Sequence, residues 1–563
     1  MIQLPNQCLQ QRLGLFDSTM LVVGTMIGSG IFIVSADMAR DLGSSGWLMV
    51  AWLLTALMTI LGALSYAELS AMMPHAGGQY VYLREAYSPL WGFLYGWTCF
   101  LVIQTGSIAA VGVAFAKFLG VFFPALGTDN MLWEVKGLNI DVKAYVPWLG
   151  EEVSFFKRDS FGVSAGQLVA VVVIAILTAL NCRGVREGKW VQNLFTVAKT
   201  LALILLIVVG LTAAANPKAI TANLADLWNG AYHTERFSEV SKLAGGLPGL
   251  AIIMVLGGAM VGSLFAADAW NNITFTAGEI KNPRRNLPLS LMLGVGLVMV
   301  LYLLANLAYM TALPVQGNSQ LAAELKKQAE ATKTVPEKQA VARRYADEAA
   351  HLGIDNARDD RVGTAVLQVA APRFGVPFMA IAIMISTFGC VNGMILMGAR
   401  LYYAMARDGL FFQSVGVLNG RGVPQMGLIT QGLWSVLLVF SGSYNELLDY
   451  VIFAVLVFYV LTVTGLFILR RTQPDAERPY RAWGYPVLPA LYVFLCAVVM
   501  LDLLIVKPTY TWPGLIIVLT GIPVYFLWRS LGRSPKLVPA MADMVEINAL
   551  PSGRPEASLT QEG

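Results

Sequence analysis

Along most of this chain the apolar residues follow neither the helical nor the strand period; they simply run on. Apolar stretches of about 20 residues, long enough to cross a hydrocarbon core of about 30 Å, recur almost from end to end. They lie near 15 to 40, 46 to 73, 89 to 124, 164 to 182, 190 to 214, 247 to 278, 287 to 313, 376 to 406, 427 to 441, 445 to 469, 485 to 506 and 511 to 530. The pattern predicts an all-α membrane protein with twelve transmembrane helices. Polar residues collect in short loops and in three long inserts, near 125–163, 215–246 and 314–375. The last insert contains LAAELKKQAEATKTVPEKQAVARRYADEAA. These are strong helix formers with no apolar stripe wide enough for a core, which predicts a solvated helical cap or a mobile flap.

Two of the apolar stretches are interrupted where a helix should be continuous. Gly24 to Phe32 reads GTMIGSGIF, with two glycines around a serine, and Gly262 to Asn271 reads GSLFAADAWN, with Asp268 inside an apolar segment. Backbone that leaves the helix inside a bilayer survives only where protein or an enclosed cavity satisfies it. Paired breaks in two halves of a chain point to a substrate site at the membrane midplane.

The composition agrees with the pattern: of 563 residues 56% are hydrophobic and 13% charged, with a mean hydropathy of +0.62. The net charge of +4 is no signal for nucleic acid. The N-terminal MIQLPNQCLQQRLG lacks the basic region of a cleavable signal peptide, so the first span is expected to be retained. With the N-terminus inside, the inner loops receive Arg183, Arg186, Lys189, Lys281, Arg284, Arg285, Arg400, Arg407, Arg421, Arg470, Arg471, Arg478 and Arg481, and Arg529, Arg533 and Lys536 follow the last span. The short outer loops carry one lysine, so the positive-inside rule predicts cytoplasmic tails at 1–13 and 531–563 around a transporter domain of 14–530. All three long inserts then face outward. None of the five cysteines (Cys8, Cys99, Cys182, Cys390 and Cys496) falls in an outer insert, and no disulfide framework is expected there.

Several further motifs lie in order around these breaks. They are GALSYAELSAMMPHAGGQYVYLREAY after the first span, VQNLFTVAKTLAL in the fifth, TFTAGEIKNPRRNLPLS after the sixth, FGCVNG and ARLYYAMARDG in the eighth, and ERPYRAWGYPVLP before the eleventh. Over residues 14–530 the chain resembles the amino acid, polyamine and organocation (APC) superfamily, most closely its L-type amino-acid transporter branch. The resemblance implies a LeuT-like fold, with spans 1 to 5 and 6 to 10 as inverted repeats and helices 1 and 6 broken. It also implies a secondary amino-acid carrier working by alternating access.

At the first break, the N–H groups of Ser29, Gly30 and Ile31 would open a half-helix whose positive end attracts a carboxylate, while the Met26 carbonyl would accept from an ammonium. The alternative is that Gly28, Ser29 and Gly30 form a small-residue packing face. In the sixth span the resemblance makes Phe265 a gate over the substrate and its carbonyl, with that of Ala266, the rest of the ammonium site; a core phenylalanine is the other reading. Asp268, where the family pattern has glycine, is open to three roles: pairing with the substrate, carrying a proton, or capping the restarted half-helix through the N–H of Trp270 or Asn271. Lys199, alone in an apolar run, matches a lysine that in sodium-independent relatives takes the place of sodium and bonds the unwound first helix; snorkelling to the interface is the alternative.

Glu68 and Glu279 stand toward the cytoplasmic side, as inner-gate ion-pair residues or as solvated helix ends. Gln104 and Asn392 suit hydrogen bonds between helices, and Asp449 and Tyr450 would border the side-chain pocket or the interface. The three histidines, His75, His233 and His351, make no metal-spaced cluster, and no phosphate loop or paired nucleophile and base exists. No enzyme activity, cofactor or metal is expected. The implied function is sodium-independent uptake of neutral L-amino acids, by exchange or with protons, across a bacterial inner membrane. A polyamine or basic amino-acid antiporter, favoured by Asp268, and a non-transporting amino-acid sensor are the alternatives. Relatives in the L-type branch often pair with a heavy subunit through a cysteine after the third span. Residues 125–163 contain no cysteine, so no disulfide-linked partner is expected.

Overall fold

The structure, a computed structural model, describes residues 9–530 apart from 129, 147–150, 333–334 and 442–443. The tail 531–563 and residues 1–8, with Cys8, lie outside the described residues, as do the side chains of Asp449 and Tyr450. Among the described residues eleven helices are long and apolar enough to cross a membrane, and the shorter apolar helix Gln425–Val439 stands where the ninth span was expected. Together they agree with the twelve-helix reading.

The second span, Ser45–Met72, shows how an unbroken apolar helix sorts its faces. Leu53, Leu57 and Ile60 stay exposed at helical spacing, while Ala51, Trp52, Thr55, Ala56 and Thr59 are buried. The exposed row suits hydrocarbon, and the buried row of small and hydroxyl side chains lets neighbouring helices approach. The first span lies innermost, with 89% of its most apolar window buried against 28% for the last, Thr511–Ser530. The interrupted helices are therefore surrounded by continuous ones.

All three inserts carry structure. The strand Met131–Val146 pairs antiparallel with Glu151–Ser164, the one strand pair among the described residues of an otherwise helical chain. The second insert folds as helices Pro217–Ala225 and Glu235–Leu243. Its Asn223 side chain donates to the carbonyls of Met310 and Leu313 and accepts from the Val315 N–H. In the third insert, helices Ser319–Ala331 and Val335–Asp347 bury Leu325, Val341, Tyr345 and Leu352 together. The expectation of no core is corrected here: neither helix has a wide apolar stripe, and the core arises from pairing two narrow ones. The insert is also fastened to the bundle, with Arg40 donating to the Asp355 carbonyl and to Asp360 at 2.9 and 2.8 Å.

The residues preceding the first span are held as well. The N–H groups of Arg12 and Leu13 donate to the Glu279 carbonyl, and that of Lys281 to the Leu13 carbonyl at 2.8 Å. This short parallel bridge straps the chain's start to the end of the sixth span.

Tyr345→Ala removes a large side chain from the insert's small core, a loss of about 3–5 kcal/mol in a well-packed site. Limited proteolysis is expected to cut the variant between 319 and 352 much faster than the parent, with the helical bundle left intact.

Candidate functional site

The first span is two helices, Leu15–Met26 and Gly30–Leu42, separated by Ile27, Gly28 and Ser29. The sixth is a helix Pro248–Ala266 followed, after Ala267, Asp268 and Ala269, by a 3-10 segment Trp270–Glu279. The two breaks touch. A Cβ on Gly30 would meet the Ala266 Cβ at 2.7 Å and its Cα at 2.9 Å, so glycine is required for the approach of one broken helix to the other. Thr25 also donates to the Ala269 carbonyl at 3.2 Å.

A break exposes carbonyls that the helix no longer uses, and buried carbonyls need donors. Lys199, 1% exposed, supplies a donor for two of them at the first break. Its Nζ donates to the carbonyls of Gly24, of Ile27 at 2.7 Å and of Ser386 in the eighth span at 3.2 Å. Ser386 Oγ bonds the Ile27 and Gly28 carbonyls at 2.9 and 3.0 Å. Lys199 is thus fully enclosed and ties the fifth and eighth spans to the unwound first; it does not snorkel.

Tyr302, in the seventh span, joins the two breaks. Its hydroxyl lies 2.8 Å from the Met26 carbonyl and 3.1 Å from that of Ala266. In this conformation both oxygens expected to receive the substrate's ammonium already have a hydrogen-bond donor, and the Phe265 carbonyl accepts the Asp268 N–H at 3.1 Å. The sequence reading did not single out Tyr302. A tyrosine within an apolar run, whose hydroxyl must find a partner once buried, was the available signal.

Asp268 does not cap the restarted helix. The cap position belongs to Ala269, whose φ of 67° is left-handed and which makes no side-chain cap bond. The Asp268 carboxylate instead accepts from the Tyr459 hydroxyl at 2.6 Å. Tyr459 stacks on Trp270, and Tyr66 meets both rings edge-on, with centroids 4.8 and 5.9 Å apart. No described ion pair includes Asp268. It does line three adjoining cavities, one with Met26, Gly28, Ser29, Gly30, Phe265 and Ala266, one with Gln79, Gln104 and Asn271, and one with Tyr492 and Cys496. The first-break residues, Phe265 and Asp268 therefore share one cavity system; Ile31 is buried just behind it.

Glu68 and Glu279 lie apart from this cavity, at the end that carries the arginine-rich loops, and both are buried. Glu279 pairs with Arg400 at 3.1 Å, each side chain 1% exposed. Glu68 takes both oxygens to Arg470, at 2.9 and 2.6 Å, and accepts the Ala482 N–H. Neither is a solvated helix end, and Arg400 and Arg470 are not free loop charges. Arg84 and the Tyr80 hydroxyl converge on Asp408 nearby. Gln104 and Asn392 bond between helices as expected, to the Met394 carbonyl and to Gln192.

Two interrupted helices around an enclosed cavity, inside a bundle closed at one end by buried ion pairs, define a polytopic membrane carrier. The profile described as amino acid permease matches residues 13–341 and 349–527, and the chain belongs to that family. It is similar to large neutral amino acids transporter small subunit 2 of Homo sapiens, 28% identical over 546 residues that are 97% of this chain and 84% of that one. It is also similar to b(0,+)-type amino acid transporter 1 of Mus musculus, 27% identical over 528 residues, 93% of this chain and 89% of the other.

Lys199→Met leaves three buried carbonyls without their charged donor. A loss of about 3–5 kcal/mol is expected, read as a marked fall in the thermal unfolding temperature of the purified protein. Ala269→Gly acts the other way: relief of the left-handed strain, about 1–2 kcal/mol, outweighs the backbone entropy of glycine. The same thermal assay is expected to show a gain of about 0.5–1 kcal/mol.

Proposed function

We propose that this permease is a sodium-independent secondary carrier for neutral L-amino acids in a bacterial inner membrane, with both termini cytoplasmic, working by exchange or with protons. The observation that carries the reading is Lys199. Its ammonium occupies, through the Gly24, Ile27 and Ser386 carbonyls, a place where a bound cation would otherwise neutralise the unwound helix. The first N–H groups of the helix Gly30–Leu42 have no helical carbonyl before them and offer a seat for the substrate carboxylate. The ammonium would be held by carbonyls of Met26, Phe265 and Ala266 once Tyr302 yields, with Phe265 closing over it.

Spans 1 to 5 and 6 to 10 would act as inverted repeats. Breaking and remaking the buried pairs Glu279 with Arg400 and Glu68 with Arg470 would gate the cytoplasmic side. The relatives' names support amino acids as cargo, one of them large neutral ones. That same name makes its bearer a small subunit. In this chain the insert 125–163 has no cysteine, which supports a carrier without a disulfide-linked heavy subunit.

Asp268 supports a second reading. A carboxylate that lines the cavity with a tyrosine hydroxyl as its partner suits a substrate with a second positive charge, as in a basic amino acid or a polyamine.

Uptake of labelled leucine, alanine, arginine and putrescine into proteoliposomes in sodium-free buffer, with and without the same unlabelled compound inside, separates these. Neutral amino acids are expected to enter, and faster against internal substrate. Preference for arginine or putrescine would install the second reading, and binding without any uptake would make the protein a sensor.

A further inference from the structure

Away from the substrate cavity, the eleventh span, Val487–Val506, carries an acid one turn before its end. Asp502 is 9% exposed, and neither carboxylate oxygen has a hydrogen-bond partner. It is packed on the sixth span's first half: a Cβ at Gly257 would collide with its Oδ2, and one at Gly258 would stand 3.3 Å from Val506. These glycines make the niche, and they belong to the helix Pro248–Ala266 that ends at the substrate break.

The ionisable groups around the niche do not neutralise it. The sixth span's first half has none. On the second span Glu68 is held by Arg470 at the far end, and on the tenth Tyr459 is held by Asp268, while the side chains of Glu446 and Asp449 lie outside the described residues. On the twelfth, Thr511 bonds the Leu503 carbonyl at 2.8 Å. Arg236 acts on Asp502 through space, but its guanidinium hydrogen bonds go to the Val506 carbonyl and to Glu239, both at 3.1 Å. Lys507 and Arg40 act with Arg236 on Asp41 in a neighbouring charged cluster. Tyr492 and Cys496 lie on the same helix, facing the cavity at Asp268.

An ionised carboxylate in such a niche gives up its hydration and gains no hydrogen bond in return, only the through-space attraction of Arg236, whereas the neutral acid loses far less. We propose that Asp502 is a proton-binding site that couples protons to the movement of the sixth span's first half against the eleventh. While the two helices are packed as here, the proton stays on the carboxyl oxygen. When they part, water enters between Gly257 and Asp502, the proton passes to that water, and the ion is hydrated. Repacking requires a proton to be taken back, so each cycle binds one proton and releases one. The transport consequence rests on the carrier reading above; proton binding itself does not.

The test uses the full-length protein and the Asp502→Asn variant, which mimics the protonated acid. Difference infrared spectroscopy across a pH titration of the purified protein is expected to show a buried carboxyl band that Asp502→Asn removes. In proteoliposomes the parent's uptake of its amino-acid substrate is expected to rise several-fold on acidification of the side facing Asp502. In the variant that rise falls to near unity while exchange of internal for external substrate persists. Gly257→Ala, which crowds Oδ2 without removing the acid, is expected to shift the titration midpoint of the same band and serves if Asp502→Asn does not fold. An unchanged band in Asp502→Asn, or a Gly257→Ala midpoint equal to the parent's, would overturn the site. A variant pH profile identical to the parent's would overturn the coupling. A band that behaves as expected in a protein that transports nothing would leave the site standing and reject the carrier reading.

Discussion

A helix that unwinds inside a bilayer must find new partners for every polar group it frees, and that demand organises the centre of this protein. Two helices unwind side by side. The carbonyls released at Gly24, Ile27 and Gly28 are taken by Lys199 and Ser386, and those of Met26 and Ala266 by Tyr302. Three surrounding spans, the fifth, seventh and eighth, are thereby committed to the breaks. Close approach follows: Gly30 lies against Ala266 with no room for a Cβ, and the cavity that remains is lined by both interrupted segments. On the proposed reading, the donors that stabilise the breaks are the ones a substrate's charges would share or displace, which would make binding and the packing of the bundle a single equilibrium.

Charge is placed with the same economy. Toward the arginine-rich end, Glu279 with Arg400, Glu68 with Arg470, and Asp408 with Arg84 are buried as pairs. Breaking such a pair by removing one partner costs about 3–5 kcal/mol. The strap from Arg12 and Leu13 to Glu279 links the start of the first span to one of these pairs. At the opposite end the third insert grips Arg40, the last turn of the half-helix that begins at Gly30. Each end of the first span is therefore anchored away from its break.

Much of this was legible in the chain. The glycine pair at 28 and 30 and a lone lysine at 199 are costly in an apolar run, and both stand at the break of the first span. Asp268 was legible as important but not in its partner, because Tyr459 lies 191 residues away and no local pattern joins them. The cap was one of three roles open to Asp268, a residue type that favours caps, whereas the backbone turns at Ala269, a residue with no such preference. Glu279 was open between an inner-gate ion pair and a solvated helix end, and Arg400 read as a loop charge, because burial across two helices leaves no periodic trace. The strand pair did leave one, the alternation of NIDVKAYV within its first strand, obscured by the expectation of helices throughout. The small core of the third insert left none, since Leu325 and Tyr345 sit on separate helices.

The claim that a protein ammonium does the work of a bound cation at the break is tested most directly by equilibrium binding. Labelled leucine titrated into the purified protein in sodium chloride and in choline chloride of equal ionic strength should give the same Kd. Binding that appears only with sodium, or tightens severalfold with it, would mean that a cation site exists beside Lys199 and would contradict the reading of this centre.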